Sequence, residues 1–443
     1  MKYLKKVDPE VYDLIRKEDR RLSTTLMMIP SENYASNAVE EAVGSRFGDK
    51  YAEGYPKKRY YQGQRNADML ETLVIERAKA LFGVPHVNVQ PYSGSPANLA
   101  VYNALLQPGD TILGLSLAFG GHLTHGALAS ATSKFFHSVQ YSLDDKGMIH
   151  FDEIEKLAKT HKPKIIVAGT TAYPRLLDWK RFAEIADKSG AYLMADVSHL
   201  SGLIVAGAYP SPVPYVHIIT TTTHKTLRGP RGAMIMVTDK GILKDELLPD
   251  KIDKSVFPGL QGGPHLNTIA GIGVALHEAN TDRFKKYGKQ VILNAKTLAD
   301  ELLKHNFTLV AGGTDSHLIL IDLSNKKLLG NTVAEALEYV GIVANKNSIP
   351  NDKNPPFYPS GLRIGTPGIT SRGMGKSEVK IIADVMHKTV EAVYARKTKS
   401  LAKDSLEKKK SIRRELIKGT KELRKLRAII LELCEQFPLC ETY

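Results

Sequence analysis

Between Asn66 and Val237, short apolar or β-branched runs alternate with stretches of helical spacing, and this alternation constrains the fold more than any other feature of the chain. Lys164–Ala168 (KIIVA), Ala191–Ala195 (AYLMA), His217–Thr223 (HIITTTT) and Ala233–Val237 (AMIMV) read as strands. Ala97–Leu106 has helical apolar spacing and stops at the Pro108-Gly109-Asp110 turn, after which Thr111–Leu115 reads as a buried strand. Trp179–Lys188 is a further helical stretch. Such a pattern predicts a mainly parallel sheet covered by helices on both faces, an α/β class. Sheets of this kind bind ligands just beyond the carboxyl ends of their strands. The residues that follow each run therefore carry the chemical interest. Asp196-Val197-Ser198-His199 follows Ala195, His224-Lys225 follows Thr223, and Gly169-Thr170-Thr171 follows Ala168, while Ser93-Gly94-Ser95 precedes the Ala97 helix.

A chain of 443 residues suggests two lobes. The second would contain the helix Asp282–His305, the strand His317–Asp322, the helix Thr332–Val340 and the segment around Arg363. The expected division is an N-terminal arm at 1–25, a large domain at 26–280, a small α+β domain at 281–395 and a basic helical tail at 396–443. The net charge of +14 is uneven: from Arg396 onward there are 14 bases against 7 acids, half of the excess. The remaining excess could attract anionic small molecules, but a solvated surface is the preferred reading; neither aromatic interleaving nor a recognised motif supports a nucleic-acid partner. Within the tail, Leu423, Leu426, Ile430 and Leu433 form a helical stripe that must pack on the body or on a partner.

No run of about 18 apolar residues predicts a membrane span. The amino terminus lacks an apolar core and reads as a surface helix, not a targeting signal. Cys434 and Cys440, the only cysteines, exclude a disulfide scaffold or structural zinc site for the main body; a cytoplasmic location is the expectation.

Candidates at strand or helix ends fit the needs of an amino-acid enzyme that uses pyridoxal phosphate. Such chemistry requires a lysine for the aldehyde and a carboxylate to keep the pyridine nitrogen protonated. It also requires donors at a helix start for the phosphate, and an arginine for the substrate carboxylate. Lys225 lies among threonines just past a strand, although a surface loop lysine reads the same way. Asp196 ends an apolar strand, where a carboxylate is costly without a cation or donors; a helix cap or a structural ion pair is the other reading. Ser93-Gly94-Ser95 opens a helix, as an ordinary cap would. His199 could support the ring or the substrate hydroxyl, or be structural. Gly262-Gly263 could bring amides to a phosphate or simply turn the chain. His122, in a Gly-rich loop, could stack on a flat cofactor. His122 with His125 also suggests metal ligation, but no third ligand stands at suitable spacing.

Taken together, the motifs resemble serine hydroxymethyltransferase from about residue 8 to residue 393. The matching stretches include PSENY (Pro30–Tyr34), KYAEGYPKKRYY (Lys50–Tyr61), QPYSGSPAN (Gln90–Asn98), GGHLTHG (Gly120–Gly126) and ADVSHLSGL (Ala195–Leu203). TTTTHKTLRGPRG (Thr220–Gly232), FPGLQGGP (Phe257–Pro264), GGTDSHL (Gly312–Leu318), NKNSIPND (Asn345–Asp352) and SGLRIGTP (Ser360–Pro367) follow in family order.

The resemblance implies the pyridoxal-phosphate fold type I shared with aspartate aminotransferase. That fold has a large domain with a mostly parallel seven-stranded sheet and a smaller α+β C-terminal domain. It further implies a homodimer with active sites shared across the interface. Lys225 maps onto the Schiff-base lysine, Asp196 onto the pyridine-nitrogen carboxylate and His122 onto the stacking histidine. His199, Thr222, His224 and Thr171 take cofactor or substrate contacts; Ser93, Gly94 and Ser95 hold phosphate, joined by Gly263 from the neighbouring subunit. Ser31, Arg363 and the residues Tyr51, Glu53 and Tyr61 match substrate-handling positions, the last three reaching across the interface. Leu117, Gly121, His122, Leu123, Asn347, Pro355, Pro356 and Phe357 fall where the family binds tetrahydrofolate. No metal is implied. The expected reaction converts L-serine and tetrahydrofolate to glycine and 5,10-methylenetetrahydrofolate; a folate-independent aldolase acting on threonine-like β-hydroxy amino acids is the alternative. Phe119, Thr171, Gln64-Arg65 and Pro355 depart from common family residues, and the tail from Arg396 has no family counterpart.

Overall fold

The computed structural model describes residues 1–400 and 421–439; the rest of the expected basic tail, 401–420 and 440–443, lies outside the described residues. The chain forms two compact units. One comprises Asn33–Ile292 with Thr314–Ser316, the other Met1–Glu32, Leu293–Gly313 and the described residues from His317 onward.

The first unit is built on a seven-stranded sheet in the order His86–Asn88, Ala233–Val237, Ile218–Thr222, Tyr192–Asp196, Ile165–Gly169, Thr111–Leu115, His137–Tyr141. Ala233–Val237 runs antiparallel to both of its neighbours, and the other pairings are parallel. Alternate side chains feed two cores, as the pleat dictates. Ile166, Ala168, Leu193 and Ala195 enter one, whereas Ile165, Val167, Met194 and Ile218 enter the other. This two-sided burial is why the strands read as continuous apolar runs. In register, Gly169 pairs with Asp196 and Asp196 with Thr220, so the polar residues past each strand gather at one edge.

Local chemistry sets the boundaries. The amino terminus, read as one helix, is two: Lys2–Val7 and Pro9–Ser23. Asp8 ends the first and caps the second, accepting from the Val11 amide at 3.0 Å, and Pro9 fills the first helical position, where no amide is needed. The helix Gly94–Leu105 starts earlier than its apolar spacing indicates, because Ser93 takes the cap position. Trp179–Ser189 is capped by the Asp178 side chain and ends on Gly190 at φ 72°, a left-handed conformation that glycine tolerates.

The second unit contains an antiparallel sheet ordered Thr308–Leu309, Leu318–Asp322, Gly361–Gly365, Asn345–Asn347. Leu26–Met27 pairs in parallel with Ile342–Val343. The helices Gly330–Val340, Lys376–Ser400 and Lys421–Gln436 enclose its core. The stripe Leu423, Leu426, Ile430 and Leu433 is buried there, so it packs on this chain's own second unit. Each such side chain contributes about 1.5–3 kcal/mol by area. Among the described residues no helix is long and apolar enough to cross a membrane, and no group of three or more His, Cys, Asp or Glu could hold a metal ion.

Candidate active site

At the carboxyl edge of the large sheet a buried carboxylate organises its surroundings. Asp196 Oδ2 accepts from Asn98 Nδ2 at 2.8 Å and from His125 Nε2 at 3.0 Å, and Oδ1 accepts from the Ser198 amide at 3.1 Å. Burial pushes the Asp196 carboxyl upward, but the bond and electrostatic pull of His125, the pull of His122 and a hydrogen bond from the Ser198 side chain outweigh it and hold it well below the usual carboxylate range. His125 Nδ1 accepts from the His122 amide at 3.2 Å, which leaves the proton on Nε2, facing Asp196.

The same loop sets the His122 ring. Gly120 adopts φ +96°, and a Cβ on Gly121 would collide with the Leu115 carbonyl, so only glycines let the loop fold back on its strand. His122 Nδ1 receives the Thr124 amide at 3.2 Å and lies 2.7 Å from Thr124 Oγ1, whose lone pair takes a hydrogen bond from Asn98. Burial lowers the His122 pKa to about 4, so the ring is a neutral plane. Nearby in sequence, Leu117 and Leu123 are exposed apolar residues.

Lys225 stands in the turn after Ile218–Thr222, its ammonium donating to Thr222 Oγ1 at 2.8 Å. The Thr222 amide donates to Ser198 Oγ at 3.1 Å, so backbone and hydroxyl links run from Lys225 to the Asp196 network. Asn33 Nδ2 fastens the Lys225 carbonyl at 3.0 Å. A Cβ on Gly94 would lie 2.8 Å from Thr222 Cγ2, which brings the start of the Gly94–Leu105 helix against the lysine turn. Ser93, its cap residue, makes no capping bond with its side chain. With Pro96 lacking an N–H, the first-turn amides of Gly94 and Ser95 face out of the helix as anion donors. Thr171 donates to the Gly121 carbonyl at 3.1 Å, and His199 is buried.

This donor set fits pyridoxal phosphate. Asp196 Oδ1 retains lone pairs for a pyridinium N–H, and His122 offers a neutral plane. The open helix start suits a phosphate. His224 Nδ1 is buried without a hydrogen-bond partner, and burial followed by the Lys225 charge lowers its pKa to about 3.

A second group surrounds Gly262-Gly263. A Cβ on Gly263 would stand 3.5 Å from the Tyr51 ring and 3.8 Å from Glu53 Cγ, so Tyr51, Glu53 and Gly263 share one neighbourhood. Tyr61 meets the Tyr51 ring edge-on at 5.5 Å, and the Glu53 carboxylate pushes its phenol upward. Tyr51 and Tyr61 are exposed. Behind them Arg59 holds Asp68 at 2.9 Å and Glu71 at 2.6 Å, the Arg59–Glu71 pair being almost wholly buried.

The remaining expected residues belong to the other unit. Arg363 lies in Gly361–Gly365, opposite Leu320 and Asn345, and donates from Nε to Asn345 Oδ1 at 3.1 Å. Burial lowers its pKa to about 10, opposed by the charge of Glu32, which adjoins Ser31. Asn347 pairs with Gly361, and Pro355, Pro356 and Phe357 are exposed; the Phe357 carbonyl accepts from Asn331 at 3.0 Å and Lys346 at 2.8 Å. Sequence reasoning missed Asn98, Thr124 and Ser198 as supports of the site, considered His125 only for metal ligation, which it set aside, and passed over Arg59. The His-x-x-His spacing and the buried-acid problem at Asp196 were the signals available.

The serine hydroxymethyltransferase family model matches residues 4–386. The serine hydroxymethyltransferase of Desulfotalea psychrophila is 54% identical over 390 residues, covering 88% of this chain and 90% of the relative. That of Acidothermus cellulolyticus is 54% identical over 396 residues, with 89% and 91% covered. That of Wolbachia sp. subsp. Drosophila simulans is 53% identical over 401 residues, with 90% and 93% covered. With a match of this extent and a sheet edge that gathers the family's motif residues, the chain belongs to the serine hydroxymethyltransferase family.

Proposed function

We propose that this chain catalyses its family's reaction, the reversible transfer of the serine hydroxymethyl carbon to tetrahydrofolate, with pyridoxal phosphate bound at its own Lys225. The family is of fold type I and uses pyridoxal phosphate and tetrahydrofolate. The observation that carries the assignment here is the buried, anionic Asp196, linked through Ser198 and Thr222 to the Lys225 ammonium.

Bound there, the cofactor supplies a sink for the electrons of the breaking Cα–Cβ bond. Asp196 keeps the pyridine nitrogen protonated, and its three hydrogen bonds keep the carboxylate from turning away. His122, held neutral by burial, would lie against the cofactor ring without adding charge to it. The Gly94 and Ser95 amides, with the Ser93 and Ser95 hydroxyls, hold the phosphate; Thr171, His199 and His224 complete the cofactor's surroundings. Arg363 takes the substrate α-carboxylate with Ser31 beside it, its Nε oriented by Asn345. Fixing that carboxylate would orient the substrate's Cα bonds. Glu53 moves protons at the substrate hydroxyl, with Tyr51 and Tyr61 around it. The exposed Leu117 and Leu123, with Gly121, Asn347 and Pro355–Phe357, form the folate's contacts.

On this reading the chain forms a homodimer in which Tyr51, Glu53 and Gly263, which share one neighbourhood, serve the partner's site. Purified protein saturated with the cofactor should absorb visible light, change spectrum with glycine and tetrahydrofolate, and form glycine from serine faster when tetrahydrofolate is added. A colourless, vitamin-saturated protein, or turnover indifferent to tetrahydrofolate, overturns the assignment.

A further inference from the structure

The helix Lys421–Gln436 lies outside the stretch that the family model matches, yet its carboxyl end joins a network that leads to the Arg363 strand. Arg372 is buried, and its guanidinium donates to five backbone carbonyls. Nη1 reaches Leu22 at 3.3 Å and Thr25 at 2.9 Å, and Nη2 reaches Ser23 at 3.2 Å and Cys434 at 2.9 Å. Nε reaches Phe437 at 2.7 Å. Three acceptors thus belong to the end of the Pro9–Ser23 helix and the link after it, and two to the end of the C-terminal helix. Helix C-termini expose carbonyls and carry negative partial charge, so one cation satisfies both. Among the described residues no carboxylate forms an ion pair with it.

From Thr25 the chain runs directly toward the substrate-handling residues. Leu26–Met27 pairs with Ile342–Val343, and the Met28 carbonyl accepts from the Gly365 amide at 2.7 Å. A Cβ on Gly365 would stand 2.8 Å from Pro30, so this segment lies against the Arg363 strand without room for a methyl group. Ser31 comes next, followed by Glu32, whose carboxylate interacts with Arg363. The C-terminal helix is itself docked closely: Arg427 donates to the Tyr339 carbonyl at 2.9 Å, and Ile430 Cγ2 lies 2.9 Å from where a Cβ on Gly341 would be.

We propose that the C-terminal helix is a positioning element for the substrate carboxylate: by supplying two of the five acceptors of Arg372, it fixes where Thr25–Ser31 lies against the strand that carries Arg363. The inference rests on Arg363 and Ser31 gripping that carboxylate. Loosening the helix strands two donors of a buried guanidinium, which turns toward the space opened and releases the Leu22–Thr25 carbonyls. Filling the core alone has no such directional effect.

The test compares serine with ethanolamine, which has the amine and hydroxyl but no carboxylate. Dissociation constants are read from the visible absorbance of the holoenzyme. In an Ile430→Ala/Leu433→Ala double variant, serine should bind about tenfold more weakly while ethanolamine is unchanged, a tenfold loss being about 1.4 kcal/mol. A chain ending at residue 400 should behave alike and regain serine affinity on addition of a peptide spanning residues 419–439; if it does not fold, the double variant decides. A folded double variant that keeps wild-type serine affinity, or loses both ligands equally, overturns the proposal. A wild type that does not prefer serine to ethanolamine removes instead the carboxylate reading beneath it.

Discussion

A single acid shows how residue-scale physics reaches chemistry. Asp196 was legible in the sequence because a carboxylate at the end of an apolar strand needs compensation. Its two side-chain donors were not, since Asn98 and His125 lie 98 and 71 residues away and meet it only through the fold. Two substitutions test this scale. Lys225→Ala should abolish the visible absorbance of bound cofactor and lower turnover by roughly 10⁴-fold or more, as for loss of a covalent catalytic group; spectra and serine turnover measure both. Arg363→Ala should weaken serine binding by about 2–5 kcal/mol, the loss expected when a buried charge pair is broken. Titration of the holoenzyme with serine gives the value, and unaltered affinity removes the carboxylate role.

Elements decide where these side chains stand. The hairpin Gly54–Tyr55/Lys58–Arg59 carries Glu53 at its edge and is fixed by Arg59 to Asp68 and Glu71 of the helix Arg65–Phe82. Burial pushes Glu71 upward against the pull of Arg59. Arg59→Ala should therefore cost about 3–5 kcal/mol of stability, because it leaves a buried carboxylate unpaired; denaturant unfolding measures it. The Gly94–Leu105 helix offers a second test. Gly94→Ala places a methyl 2.8 Å from Thr222 Cγ2, and cofactor affinity should fall by about tenfold or more, 1.4 kcal/mol being a factor of ten. Equilibrium dialysis of pyridoxal phosphate reads that loss, and unchanged affinity would mean that the helix start does not hold the phosphate. The sequence located this helix by its apolar spacing, but its first turn is Gly-Ser-Pro, which carries no periodic signal.

For the whole molecule, buried neutral histidines make stability fall with acidity. His122 and His224 have folded pKa values lowered from 6.5 to about 4 and about 3. Between pH 6.5 and 4 the unfolded chain binds protons at both sites while the folded chain does not. Each site therefore removes up to about 1.4 kcal/mol per pH unit as pH falls through that window. Asp196, depressed by its donors, acts in the same direction once pH falls through the ordinary carboxylate range and below. The cofactor-free protein should show its unfolding midpoint dropping steeply from pH 6.5 to 4, and His224→Phe should flatten that slope. A pH-independent midpoint would contradict the burial of these rings as neutral groups.

By itself the sequence determined the strand runs, the two-sided burial of the large sheet and the positions just past its strands, because period and apolar content act over a few neighbouring residues. It also marked Lys225, Asp196 and Arg363 as the residues to question. Tertiary structure alone decided that His125 donates to Asp196 and that the stripe Leu423–Leu433 belongs to this chain's own core. It also decided that Arg372 joins the ends of two helices distant in sequence. These depend on directional hydrogen bonds and close contacts between residues far apart along the chain, and no local pattern encodes such distances.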